Sequence, residues 1–509
     1  MSLSDSVTAA IAALRRRPSD LLPWYVLGAA VPAIVRLVPF LAVAIGFVYL
    51  ETTGRLATIQ DHLQGIESQP PDPEADQEAF DEWMSGFEPV FEQVLTPGIA
   101  ALILVTIVLS VLLFLIIFPI VSAGQLTACS ARLIDRRGLT AGIAGARRYW
   151  LRFLGLYVLE FLAWIAVLLT IGTMVFVVAV IALAATGAGV IAGLIALVAA
   201  LVLLVALAAV RALFAFAPVA VVVDDATALE SLSNTLAFVR ARPIGAGFYY
   251  AVSLGTVLAI SAVSGVLLLV DVMTFTSLVT ALLIFPFLDL LKTALYNDYR
   301  KRLRPPAKPE RSARGQFRAG ARRGWDEMVA FVRATPGTHA LVVVLAFASF
   351  WVGWEAAEPI AGTLETSISA RLEGHIPPAA ALEFFGNNWM VALTTAFSGV
   401  ALTLPAVASL LFNGVFMGVY GRTEAEPMEL LAFVIPHGIF EIPAIFIATA
   451  VGIWLGRIGW RAFRGRATRA EFADALERAF WILVGVGILL AIAAVIEGFL
   501  SPYYFRLFL

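Results

Sequence analysis

The sequence predicts an all-α polytopic integral membrane protein of about eleven transmembrane helices in two bundles. Three observations predict it. Of 509 residues, 60% are hydrophobic and only 14% are charged, against about 25% charged in soluble domains. Runs such as "IAALILVTIVLSVLLFLIIFPIV" reach the roughly 20 apolar residues needed to cross a bilayer core. Basic residues alternate from loop to loop along the chain.

Taken in order, spans are expected near 22–50, 98–124, 153–184, 188–222, 244–272 and 274–298. A second set lies near 337–356, 387–405, 406–422, 430–456 and 479–500. The stretch 387–422, with Pro405 in its middle, reads either as two short spans or as one re-entrant hairpin, which membranes accommodate only where protein buries it. With the N-terminus inside, the intervening cytoplasmic segments hold 28 of the 35 Lys+Arg and the external ones four, Arg55, Arg371, Arg422 and Arg506. By the positive-inside rule this gives a multi-pass cell-membrane protein with a cytoplasmic N-terminus and an external C-terminus. No cleavable signal peptide is expected, the first span serving as the insertion signal. The single cysteine, Cys129, can form no intramolecular disulfide.

The loop 51–97 carries eleven acids and one arginine and reads as a solvated external loop. The stretch "RKRLRPPAKPERSARGQFRAGARR", 300–323, has ten basic residues and one acid. It divides the chain into an N-terminal six-span domain (1–299), a basic cytoplasmic linker with an interfacial helix (300–336) and a C-terminal domain (337–509). Such a linker attracts anionic headgroups. "AALRRRP", "AFVRARP" and "AFVRATP" each end an amphipathic stretch just before a span. Proline disfavours helix at the preceding residue, so each predicts an elbow between an interfacial helix and a membrane helix.

Ionisable groups inside spans cost enough to count as functional candidates. Glu160, Arg211, Asp289 and Lys292 are secondary candidates. Arg211, Asp289 and Lys292, like Arg36, can snorkel to the interface, and Asp289 with Lys292 can neutralise each other at i,i+3. His437 and Glu441, in "IPHGIFEIPA", share a helix face at i,i+4 and lie within reach of a hydrogen bond. Pro436 and Pro443 free the carbonyls of Ala432 and Ile439, and Gly438 admits a close neighbour. The group reads as a polar helix-packing contact or as a ligand site. No H-E-x-x-H, G-x-S-x-G or P-loop motif occurs, and the four histidines are His62, His339, His375 and His437. Neither an enzyme, a metal, a cofactor nor nucleic-acid binding is expected. A metal at His437 would need Glu441 and Glu497 as partners.

"FFGNNWMVALTTAFSGVALTLPAVASLLFNGVFMGVYG", "FVIPHGIFEIPAIFIATAVGIWLG" and "IEGFLSP" together resemble the stage II sporulation protein M family over roughly 335–504. The pattern falls on Asn388, Gly399, Pro405, Asn413, Gly414, Gly418, Pro436, His437, Gly438, Glu441, Gly452, Gly456 and Glu497. The resemblance implies a non-enzymatic scaffold for membrane remodelling or complex assembly, in contact with the bilayer and with other membrane proteins or further copies of itself. In that role His437, Glu441, Asn413, Asn388 and Glu497 knit helices together. The six additional N-terminal spans depart from the family pattern. An ion- or proton-coupled transporter or channel using His437 and Glu441 is the alternative, since broken helices at mid-depth line transport sites. "FAPVAVVVDDATALESLSNTLAFVRARP" resembles membrane domains found beside glycerophosphodiester phosphodiesterases over about 20–300, but no catalytic domain accompanies it.

Overall fold

The computed structural model describes residues 3–64, 77–186, 189–270, 272–307, 309–358, 361, 376–424, 427–501 and 504. It is 89% helical, with no strand among the described residues. In chain order the helices are α1 (Leu3–Arg16), α2 (Leu22–Val35), α3 (Leu37–Thr52), α4 (Arg55–Gln64), α5 (Gln77–Ser85), α6 (Glu88–Val94), α7 (Pro97–Arg132), α8 (Gly138–Thr186), α9 (Gly189–Ala215) and α10 (Ala217–Val223). They continue as α11 (Ala228–Ala241), α12 (Pro243–Leu268), α13 (Thr274–Val279), α14 (Phe285–Tyr299), α15 (Ala313–Ala334), α16 (Pro336–Ala356), α17 (Pro377–Ser398), α18 (Leu404–Glu424), α19 (Pro427–Phe463) and α20 (Arg469–Phe499).

Among the described residues, ten helices are long and apolar enough to cross a membrane. They coincide with ten of the expected spans. The eleventh, α17, carries Glu383, Asn387 and Asn388 up to its middle and is not among the ten, yet its 22 residues reach about 33 Å at 1.5 Å per residue. α18 has 21 residues. The stretch 387–422 therefore holds the second half of α17 and most of α18, two helices each long enough over its whole range to reach across a bilayer core, reversing through Gly399–Thr403, where Leu402 and Thr403 take left-handed φ of 62° and 68°. The acidic segment 51–97 is more ordered than a loop: α4, α5 and α6 occupy it, while residues 65–76 lie outside the described residues. Residues 313–323 of the basic stretch belong to α15, so the linker proper is shorter than expected.

The chain forms two compact units that interleave along the sequence: residues 1–28, 116–263 and 279–312 in one, and 29–115, 264–278 and 313–509 in the other. The first is built around Phe216, Phe238 and Tyr296, all but fully buried, with ring centroids 4.8 Å apart for Phe216–Phe238 and 5.3 Å for Phe238–Tyr296. α1 buries Ala9, Ala10, Ala12 and Ala13 and packs on α14. Asp20 accepts from the backbone N–H groups of Gly138 and Leu139 at 2.7 and 3.0 Å, capping α8, whose orphan N–H groups need an acceptor. Arg148 and Arg152 grip Asp225 at 2.5 and 2.7 Å. Burial nudges the Asp225 carboxyl upward, but the hydrogen bonds from Arg152 and Arg148 outweigh it and hold the group below the ordinary aspartate range. Its contribution to stability is present above the unfolded pKa and is lost as pH falls through the lower folded value.

The three elbows share one backbone geometry. Arg17, Arg242 and Thr335, each immediately before a proline, have φ of −147°, −135° and −129° with ψ of 76°, 58° and 45°. Helical ψ is disfavoured there by the proline ring. The helix leading into the second elbow begins with a capping box, Thr227 Oγ1 accepting from Glu230 N while the Glu230 carboxylate accepts from Thr227 N. Thr227→Ala is expected to cost about 1 kcal/mol, read as a lower Tm in detergent with unchanged helical content.

In the second unit α20 is the central helix, packed on α15, α17 and α19, while α16 pairs with α18. Small residues set the crossings. An added Cβ on Gly485 would stand 2.5 Å from the Gly324 carbonyl oxygen, and one on Gly399 would stand 2.2 Å from that of Gly452. Close backbone approach of this kind is how membrane helices gain packing energy without a hydrophobic driving force. Glu383 of α17 accepts from the Thr274 backbone N–H at 2.7 Å and from its hydroxyl, capping α13.

Candidate functional site

α19 runs unbroken from Pro427 to Phe463 with Pro436 and Pro443 inside it. Its i,i+4 spacing brings His437 and Glu441 to one side, and the last turn of α20 brings Glu497 to them. One donor atom from each of the three lies within 4.8 Å of the other two. His437 is 7% exposed. Its Nδ1 lies 3.0 Å from Ser501 Oγ, and Ser501 is fully buried just beyond α20. One Glu497 oxygen, Oε2, is buried with no hydrogen-bond partner among the described residues. A carboxylate in that state costs several kcal/mol unless it is protonated or meets a cation.

Glu441 also lines a cavity of about 260 Å³ between α16, α17, α18 and α19. Its polar wall comprises Asn387, Asn388, Thr395, Ser409, Asn413, Glu441 and Thr449, among apolar residues such as Phe347, Phe350 and Phe446. Asn413 Nδ2 donates to the Ser409 carbonyl at 2.7 Å, and the Thr395 and Ser409 hydroxyls are 3.0 Å apart. Asn387 donates to Asn388 Oδ1 at 3.0 Å. Thr449 is fully buried, and its hydroxyl has no partner among the described residues. Concave, mostly apolar spaces with a few convergent polar groups are where proteins bind small molecules.

The structure thus joins His437, Glu441, Glu497, Asn388 and Asn413 in one region of the second unit. Gly438 is buried, and the atoms nearest to a Cβ built on it belong to Val434 and Ile442 of its own helix, at 3.1 Å and beyond. Pro436 is half-buried. Thr449 and Ser501 are not singled out by sequence, since a hydroxyl in an apolar helix is common and carries no pattern.

The secondary candidates lie in the first unit and pair locally. Arg211 bonds Glu160 at 2.9 Å. Lys292 bonds Asp289 at 2.8 Å with both side chains largely buried, and the Tyr25 hydroxyl donates to Asp289 at 2.8 Å. Snorkelling is corrected for Asp289 and Lys292: they neutralise each other inside the fold. Of the remaining histidines, His62 and His339 bond carbonyls one turn back, those of Thr58 and Thr335, and His375 lies outside the described residues.

Comparison with curated proteins and with solved structures finds no significant match. Residues 339–502, which include the three-residue cluster and the cavity, match the family model described as Stage II sporulation protein M. Over those residues, and not over the N-terminal part, the chain is similar to the stage II sporulation protein M family.

Proposed function

We propose that the protein is a non-enzymatic membrane scaffold, acting in membrane remodelling or complex assembly, with its N-terminus cytoplasmic and its C-terminus external. The observation that carries this reading is α15. The helix is clamped to α20 through Gly324 and Met328, which are buried, and through Arg478–Glu327 at 3.1 Å, while its buried Phe331 packs on Trp454 of α19. Its other side leaves Arg314, Arg318 and Arg322 exposed beside Phe317 and Trp325, 76% and 42% exposed. Arginines interleaved with aromatic residues suit the headgroup level of an anionic membrane. A rigid bundle that holds such a helix at a fixed place presents a stable platform to lipid and to partners.

The test is affinity purification of the tagged full chain from its native membrane, followed by mass spectrometry. A partner protein in stoichiometric amount is expected. Purification of the chain alone at every detergent strength would contradict the scaffold.

The cavity favours a second reading, an ion- or proton-coupled transporter, because Glu441 and the unpartnered Thr449 hydroxyl both line it. That reading expects flux in proteoliposomes that Glu441→Gln abolishes. No flux across a panel of ions and pH gradients would remove it.

A further inference from the structure

His437, Glu441 and Glu497 bring one imidazole and two carboxylates to a single point. We propose that they form a site for one divalent transition-metal cation, zinc foremost, which ties α19 to α20. The donor set has the composition of a three-ligand zinc site, nitrogen and oxygen donors with a coordination position left over. Zinc with bonds of about 2.0–2.2 Å holds tetrahedral donors about 3.4 Å apart. The present separations, up to 4.8 Å, close to that with about an ångström of side-chain movement. The charges also balance. Two partly buried carboxylates in an apolar bundle repel each other, and a dication neutralises both. The buried Glu497 Oε2, without a hydrogen-bond partner among the described residues, is the independent sign that a proton or a cation belongs there, and the metal test below separates the two.

Ser501 supplies the supporting contact. When its hydroxyl accepts from Nδ1–H, the ring is fixed in the tautomer that carries its lone pair on Nε2, the arrangement that orients ligating histidines. Glu441, shared between the cluster and the 260 Å³ cavity, gives the ion a route in and places its remaining coordination position near that space. Because two ligands come from α19 and one from α20, the ion acts as a staple between them, and its binding adds to folding stability by mass action.

The test uses the tag-free full chain in detergent, stripped with chelator and reloaded with zinc alone, with manganese alone as comparison. The expected result is one zinc per chain after desalting, a higher Tm on reloading, and tighter binding of zinc than of manganese. Glu497→Gln and His437→Gln are expected to weaken zinc binding by about 100-fold or more, and Ser501→Ala by about tenfold. Asp474→Asn, exposed near the opposite end of α20 and so roughly 35 Å from Glu497 at 1.5 Å per residue, is expected to bind like wild type. No stoichiometric zinc or manganese in the wild-type chain overturns the proposal, as does wild-type affinity in a Glu497→Gln variant of unchanged helical content and elution volume. Should the variants fail to fold, zinc-edge X-ray absorption of the loaded wild type decides. An imidazole with oxygen donors supports the site, and a donor shell lacking imidazole overturns it.

Discussion

Gly399→Val is expected to prevent the C-terminal domain from assembling. The Cβ it adds would lie 2.2 Å from the Gly452 carbonyl oxygen and 2.5 Å from two further backbone atoms of Gly452, well inside van der Waals contact. Backbone cannot rotate out of the way as a side chain can, so α19 must move off the α17–α18 turn. Overpacking of a tight core costs about 1–3 kcal/mol and occasionally more, and a clash against backbone belongs at the upper end, about 3 kcal/mol or above. The variant should elute as aggregate or melt well below wild type. Gly247→Ala, where nothing stands within 4 Å of the new Cβ, should change stability by no more than about 1 kcal/mol and in the stabilising direction. Equal melting of both variants would show that the crossing is not tightly seated.

Asp289→Ala should be nearly as damaging, for an electrostatic reason. Lys292 and Asp289 are 12% and 17% exposed and lie 2.8 Å apart, and the second Asp289 oxygen receives the Tyr25 hydroxyl. Removing the carboxylate strands a buried ammonium and a buried phenol together. Breaking a buried pair from one side costs about 3–5 kcal/mol, whereas replacing both partners with apolar residues of similar size is often neutral. Asp289→Ala is therefore expected to lose that amount, and Asp289→Leu with Lys292→Met to recover most of it, measured by thermal melting in detergent. Failure of the double variant to recover would mean that the pair does more than neutralise itself.

The spans are legible in the sequence because a run of apolar residues is a one-dimensional signal, and hydropathy alone places ten of them. The elbows are legible for a similar reason: the proline constraint acts on the residue next to it, and Arg17, Arg242 and Thr335 obey it alike. The reversal at 399–403 is ambiguous in sequence because Pro405 marks a break but does not fix the lengths of the helices on either side of it. An interfacial helix is legible within 300–336, but its start at Ala313 is hidden by charge, since its small buried face around Gly324 rests on α20, far away in sequence. For the same reason His437 and Glu441 can be paired from their spacing, whereas Ser501 and the meeting with Glu497 depend on how α20 lies against α19. Long-range contacts of this kind leave no local periodicity.

Native mass spectrometry of the detergent-extracted full chain, wild type beside Glu441→Gln, tests the central claim most directly. The scaffold account predicts an assembly heavier than the single 54.6 kDa chain in the wild type, dispersed to that mass by Glu441→Gln while the variant stays folded. A wild-type protein found only at 54.6 kDa would contradict it.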